Sequence, residues 1–132
     1  MANVLFEHTK GQYAQLFLLH GDITKVSADI IVTGEHWQLK RASFVTKSLL
    51  GLRPEFDEIR HQLLKKHKEL KDWHAYITEM GYPFRFVIHA VMDRGNNDQW
   101  LKLMKQLYIR IFQEAEQIYT CHSIALPILG AG

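Results

Sequence analysis

The sequence contains a single cysteine, Cys121, and only three prolines in 132 residues. One thiol can neither form an internal disulfide nor supply the cysteine cluster of a structural zinc site. A disulfide-stapled secreted scaffold is therefore excluded, and a reducing compartment is favoured. No apolar stretch approaches the roughly 20 residues of a membrane span, and the N-terminus lacks a basic segment followed by a long hydrophobic run. We therefore expect a cytoplasmic protein that has no membrane contact.

An excess of charge of either sign is also absent, because 16 basic and 14 acidic residues give a net charge of +2. So small a charge creates no strong field for a phosphate backbone, although the isoelectric point is about 8.7, and it argues against nucleic-acid binding. The composition is 47% hydrophobic and 23% charged, which is typical of one soluble globular domain. No repeat or Pro-, Gly- or Ser-rich linker divides the chain, so we expect one domain over residues 1–132.

Apolar runs of strand length alternate with segments of helical spacing. A helix is predicted over 54–71, where Pro54 and acidic residues begin the segment, basic residues end it, and Phe56, Ile59, Leu63 and Leu70 face inward. A second helix is predicted to begin at an N-cap among Asn96, Asn97 and Asp98 and to continue through Tyr119. Strands are predicted at 15–20, 28–32, 73–79, 85–92 and 123–129, with a further short strand near the N-terminus. This alternation indicates an α/β layered domain.

Three of these strands are followed by residues suited to ligand binding, and ligands of open α/β sheets bind at the carboxyl ends of strands. Asp22 follows strand 15–20, where its carboxylate could accept hydrogen bonds from an exocyclic amine; the alternative is an N-cap or turn aspartate. The segment TGEH, residues 33–36, follows strand 28–32. The segment GAG, residues 130–132, follows strand 123–129, where small residues let backbone N–H groups approach a phosphate; the alternative is a flexible tail.

The order and spacing of these segments resemble the macro domain family, whose members bind and process ADP-ribose. GDITKVSADIIV, residues 21–32, is similar to that family's opening signature. FVIHAV, residues 86–91, is similar to its central strand, and SIALPILGAG, residues 123–132, to its later strand and diphosphate loop. The resemblance implies a three-layer α/β/α fold with a mixed central sheet.

The resemblance also implies a binding site. Asp22 would accept a hydrogen bond from the adenine amino group, and Ile23 would supply a backbone N–H and apolar cover for the purine. Thr33 and His36 would lie beside the ribose end of the ligand. The wall around the diphosphate would be formed by four consecutive residues, Leu129, Gly130, Ala131 and Gly132.

The segment after strand 28–32 departs from the family pattern. The family has Asn-Ala-Ala-Asn where this chain has TGEH, so His36 replaces the second asparagine, and it could still hydrogen-bond a ribose hydroxyl. A glycine-rich loop should follow, but residues 37–51 read WQLKRASFVTKSLLG. Trp37, Leu39 and Arg41 are expected to resist the positive-φ conformations that glycine adopts.

Glu35 and His36 form the only acid–base pair at the end of a predicted strand. A carboxylate there could activate water toward a ribose carbon, which makes Glu35 and His36 the candidate catalytic residues of an ADP-ribosyl hydrolase. The alternative is a solvated loop pair.

Macro domains continue beyond the GAG-like loop, so the resemblance implies that the last elements of the fold are lacking. An uncovered sheet edge should then remain, and we expect self-association through it.

The remaining candidates have structural interpretations. His61 and His67 read as exposed helix residues, His89 as a hydrogen-bonded sheet histidine and Cys121 as a small buried hydrophobe, and we expect neither a metal nor a cofactor. We expect a module that binds ADP-ribose, an ADP-ribosylated protein or a related adenine nucleotide. The alternatives are a mono-ADP-ribosyl hydrolase and a ligand-free interaction module.

Overall fold

The computed structural model describes residues 3–10, 14–92 and 98–130. The strands are β1 (Asn3–Lys10), β2 (Ala14–His20), β3 (Ile30–Glu35), β4 (Ala75–Glu79), β5 (Phe86–Val91) and β6 (Ile124–Ala125). The helices are α1 (Phe44–Leu52), α2 (Phe56–His67) and α3 (Trp100–Glu116), and a short 3₁₀ helix covers Ile23–Lys25. None of the described helices is both long and apolar enough to cross a bilayer.

The central sheet has four strands in the order β4-β5-β3-β6. Strand β3 pairs in parallel with β5 and with β6, whereas β4 pairs antiparallel with β5. Strands β1 and β2 form a separate antiparallel hairpin. The central sheet is therefore mixed, as predicted.

Alternate residues of the central strands face opposite helical layers, because side chains alternate along a strand. On one face, Ile31 and Val87 pack with residues of α1 and α2, such as Leu49 and Phe56. On the other face, the strand residues pack against Met104, Leu107 and Ile111 of α3. The three-layer α/β/α architecture predicted from the sequence is confirmed by this arrangement.

The predicted helix 54–71 is longer than the observed α2. Pro54 and Glu55 form a turn before it, and its last residue is His67. Lys68 has φ 64° and ψ −47°, which ends the helical conformation. The charge pattern identified the helix but not the backbone reversal that terminates it.

The predicted last helix is also too long, because α3 ends at Glu116 rather than Tyr119. Its N-cap position is held by Gln99, which makes no side-chain capping bond, so Asp98 is not the N-cap. Asn96 and Asn97 lie outside the described residues.

The predicted strand 123–129 is also too long, since β6 comprises only Ile124–Ala125. Pro127 has no N–H with which to continue a ladder, so the segment leaves the sheet although its apolar residues continue.

Candidate ligand site

The carboxyl ends of β3, β5 and β6 lie at one edge of the sheet because these strands are parallel. His36 follows β3, and Leu129 and Gly130 follow β6 after a short irregular segment. Met92 follows β5 and links these two groups: its N–H donates to the Glu35 carbonyl oxygen at 3.2 Å, and its Cε lies 3.3 Å from where a Gly130 Cβ would be. The structure thus brings together the ends of β3 and β6.

Asp22 is the N-cap of the 3₁₀ helix that follows β2. Its Oδ1 accepts hydrogen bonds from the Thr24 N–H at 2.9 Å and the Thr24 hydroxyl at 2.7 Å. These bonds lower the pKa of the Asp22 carboxyl because they stabilise its charged form. The side chain is exposed, and its capping bonds match the N-cap alternative given by the sequence.

Ile23 packs partly buried against the apolar cluster between the sheet and α1, which contains Ile31 and Val45. Its neighbour Thr24 is buried. The 3₁₀ helix therefore rests on the body of the protein, and it holds Asp22 at the surface.

His36 is half-buried, and its Nδ1 accepts a hydrogen bond from the Gln38 N–H at 3.1 Å. A neutral imidazole that accepts at Nδ1 carries its proton on Nε2. His36 can therefore offer an N–H donor to a ligand hydroxyl or phosphate.

The loop that follows His36 is closed and anchored. Ala42 forms a bridge with Glu35, and the Trp37 carbonyl oxygen accepts a hydrogen bond from the Leu70 N–H at 3.0 Å. Trp37 and Leu39 pack against the cluster of Leu63, Leu70 and Val91. Leu39 has φ 59°, so a bulky residue does occupy a conformation that was expected to exclude it.

Gly130 has φ 83°, a conformation that favours glycine. A Cβ at this position would also lie 3.4 Å from Trp100 Cζ2. Leu129 is buried in the α3-side core, so its side chain supports the turn rather than facing a ligand. Ala131 and Gly132 lie outside the described residues.

Glu35 is 4% exposed and points into the layer between the sheet and helices α1 and α2. Its Oε1 accepts from the Thr46 hydroxyl at 3.0 Å, and its Oε2 accepts from Arg60 Nε at 2.9 Å. His89 Nδ1 lies 3.3 Å from Oε2 and donates to it, since a carboxylate can only accept. These four residues form the Glu35 cluster, which corrects both the expectation of a solvated loop pair and that of a carboxylate facing water.

Burial alone would raise the pKa of Glu35, but the hydrogen bond from His89 and the charges of His89 and Arg60 hold it below its usual value. The carboxylate is therefore ionised at neutral pH, and both of its oxygens are engaged by hydrogen bonds in the interior. His89 also bonds Thr78 through Nε2 at 2.8 Å, so its interpretation as a hydrogen-bonded sheet histidine is correct.

Arg60 is a residue of this cluster that the sequence pattern did not single out. It lies four residues after Phe56 and three before Leu63, on the buried stripe of α2. The available signal was an arginine at helical spacing within an apolar stripe, which indicates a buried charge. A buried charge needs a partner of opposite sign, and Glu35 on the facing strand is that partner.

Thr33 lies between Ile31 and Glu35 on the same face of β3 and is completely buried. Its hydroxyl has no hydrogen-bond partner among the described residues. Its side chain therefore belongs to the interior. Of the TGEH segment, His36 is the residue that follows β3 at the edge formed by the carboxyl ends of the parallel strands.

The other candidates are placed much as expected. His61 is exposed, with Nδ1 2.7 Å from the Asp57 carbonyl oxygen, and Cys121 packs partly buried against the α3-side core. Burial raises the pKa of the Cys121 thiol, which disfavours a reactive thiolate. The described residues contain no group of three or more potential metal ligands.

Two surface clefts lie away from this edge. One, of about 690 Å³, runs between α2 and β4 beside Leu63 and Thr78; the other, of about 580 Å³, surrounds Gly81 and Arg53. Neither includes Asp22, His36 or Gly130. We place the candidate site at the carboxyl ends of the parallel strands because ligands of open α/β sheets bind there and because His36 and Gly130 follow two of those strands.

A mixed sheet between helical layers defines a three-layer α/β/α domain. The particular fold is that of the macrodomains. The Oceanobacillus iheyensis macrodomain superposes with a TM-score of 0.82 at 24% identity, covering 96% of this chain and 70% of that one. One structure of that protein, a mutant at 23% identity, was solved with ADPR.

Other macrodomains show the same fold at lower similarity. The macrodomain of Mycobacterium tuberculosis DarG has a TM-score of 0.67 at 15% identity, with 86% of this chain and 75% of that one covered. The macro domain of ganglioside induced differentiation associated protein 2 has a TM-score of 0.64 at 22% identity, with 80% and 53% covered. No protein-family model and no curated protein matches the sequence.

Proposed function

We propose that this protein binds ADP-ribose, or a related adenine nucleotide, through His36 and Gly130 at this edge of the sheet and through Asp22 after β2. The observation that carries the proposal is the shared macrodomain fold together with ligand-competent groups at the carboxyl ends of its parallel strands. Free ADP-ribose and an ADP-ribosylated protein present the same chemistry to this edge.

The groups at this edge complement an adenine nucleotide. Asp22 keeps Oδ2 free of hydrogen bonds with the described residues, so it can accept from an exocyclic amine. Ile23 offers apolar surface for the purine, His36 offers a donor at Nε2, and the glycine turn at Gly130 lets backbone approach a phosphate.

Binding is proposed in preference to hydrolysis. Glu35 was the candidate base, but its carboxylate is engaged by Thr46, Arg60 and His89 in the interior. Hydrolysis needs a base positioned beside a water and an oriented ribose, and Glu35 does not offer one.

Isothermal titration calorimetry with ADP-ribose tests the proposal. The variant Asp22→Asn keeps an oxygen to cap the 3₁₀ helix but removes the charge, and we expect it to weaken ADP-ribose binding by roughly tenfold. Ribose 5-phosphate has no adenine, so its binding should not change, and Glu69→Gln, at an exposed acid that is not one of the proposed ligand-binding residues, serves as the matched control.

Absence of heat at millimolar ADP-ribose would contradict nucleotide binding and favour the interaction module. Equal loss of ADP-ribose and ribose 5-phosphate binding in Asp22→Asn would show that the proposed orientation of the ligand is wrong.

A further inference from the structure

Helix α3 has a second apolar side besides the one that faces the sheet. Met104, Leu107 and Ile111 are its buried residues. On another side, Leu101, Ile109 and Phe112 are 64%, 56% and 45% exposed, which is unusual for a surface helix of an isolated domain. Steps of three and four residues join five side chains into one row, which we call the α3 ridge: Leu101, Lys105, Ile109, Phe112 and Glu116.

The ridge lies on the flank of α3 that faces away from β4. Arg110, on the opposite flank, donates from Nη1 to the Trp73 carbonyl oxygen at 2.6 Å, and Glu114 lines the cleft beside β4. Helices α1 and α2 pack on the other face of the sheet. Among the described residues, then, no helix covers the ridge.

Four of the five ridge residues, all but Leu101, form a set that is complementary to itself when it is read in the opposite direction. Ile109 and Phe112 are equally distant from a point between residues 110 and 111, and so are Lys105 and Glu116. A twofold axis through that point would set Ile109 of one copy against Phe112 of the other, and Lys105 against Glu116.

We propose that the α3 ridge is the interface of a symmetric homodimer in which two α3 helices pack antiparallel. A second copy is the occupant because the two charges of the ridge have opposite signs and stand at matching distances from its centre. Lys105 and Glu116 are both exposed, and neither forms an ion pair with any other described residue. The twofold axis repeats the ion pair between Lys105 and Glu116, so one such pair lies at each end of the apolar centre formed by Ile109 and Phe112.

This interface differs from the sheet edge expected from the sequence. Strand β6, at the edge of the sheet, has only two paired residues, so it offers a second chain little length for strand pairing. The α3 ridge, in contrast, spans four turns of helix.

Charge reversal tests the register of the interface. We expect the wild-type chain to sediment with twice its 15.4 kDa mass at high concentration. Lys105→Glu and Glu116→Lys should each raise the dimer dissociation constant by roughly tenfold, because each sets like charges together twice. The double variant Lys105→Glu/Glu116→Lys should restore the wild-type dissociation constant, which a general effect on surface charge would not do.

Removal of the apolar centre gives an independent test. Ile109→Ser should raise the dissociation constant by roughly tenfold or more, because a buried side chain is lost from both copies. Leu52→Ser, at a residue of α1 that is 55% exposed, should leave it unchanged. Far-ultraviolet circular dichroism confirms that each variant is folded.

A monomeric wild-type chain over the whole dilution series would overturn the proposal. A dimer that none of these substitutions weakens would also overturn it, since the copies would then meet through another surface. Failure of the double charge reversal to restore association would reject the antiparallel register.

Discussion

Glu35 is the residue at which sequence and structure differ most. It ends a strand of apolar residues, and its carboxylate is satisfied by Thr46, Arg60 and His89 in the interior. Such a group is tolerated only when charge and hydrogen bonds compensate its desolvation. The cluster joins β3, β5, α1 and α2, so it fixes how two helices sit on the sheet.

Glu35→Gln should lower the free energy of unfolding by about 3–5 kcal/mol, because the Arg60 guanidinium would remain buried without its counter-charge. Urea denaturation followed by fluorescence measures the change. The exposed residue Glu69 provides the control: Glu69→Gln should change stability by less than about 0.5 kcal/mol.

The same substitution should alter acid sensitivity. The pKa of Glu35 lies below its ordinary value of 4.5, so its contribution to stability is complete above that pH and is lost as the pH falls through the lower folded-state pKa. The stability difference between the wild type and Glu35→Gln should therefore shrink in acid. A difference that stays constant with falling pH would show that the glutamine disturbs packing rather than charge.

At the scale of a single element, helix α2 ends in a strained turn at Lys68. Lys68 has φ 64° and ψ −47°, and the Glu69 N–H donates to the His67 carbonyl oxygen at 2.7 Å, which defines a tight three-residue turn. This conformation is rare for a residue with a Cβ.

Lys68→Gly should raise the free energy of unfolding by about 1 kcal/mol, because glycine adopts positive φ without steric strain. Thermal and urea denaturation measure the effect. Lys65→Gly, placed inside the same helix, should instead lower stability by about 1 kcal/mol. If both glycines lowered stability, relief of strain at Lys68 would be smaller than the entropy that a glycine loses on folding.

The loop between β3 and α1 lies where the family pattern has a glycine-rich loop, and here it carries bulky residues instead. Trp37 and Leu39 turn inward to pack on Leu63, Leu70 and Val91. Their apolar contacts offset the strain of Leu39 at φ 59°. These contacts hold the loop against the body of the protein.

At the scale of the whole molecule, the candidate residues predicted from the sequence lie partly in the interior and partly at the surface. The Glu35 cluster lies inside one layer, whereas Asp22, His36 and Gly130 remain at the surface near the ends of β2, β3 and β6. The interior cluster stabilises the fold, and the surface residues are the ones that we propose for ligand binding.

A ligand that binds only the native state should stabilise the whole molecule. ADP-ribose at one hundred times its dissociation constant should add about 2.7 kcal/mol and raise Tm by roughly 10 °C for a domain of this size. Differential scanning fluorimetry measures the shift, which should be smaller for Asp22→Asn at the same ligand concentration. An unchanged Tm under saturating ligand would contradict binding to the native state.

The sequence by itself determined the layered α/β architecture, because apolar periodicity and turn residues are local properties that need no partner. It also indicated Asp22 and the glycine turn through a short motif. Only the tertiary structure decided the role of Glu35: the same carboxylate is a solvated base or a buried anchor according to whether an arginine from α2, 25 residues away in the chain, meets it. The alternation of side chains along a strand sets the direction of a side chain. The charge and hydrogen bonds that surround that side chain come from residues of the facing helices, which are distant in the sequence.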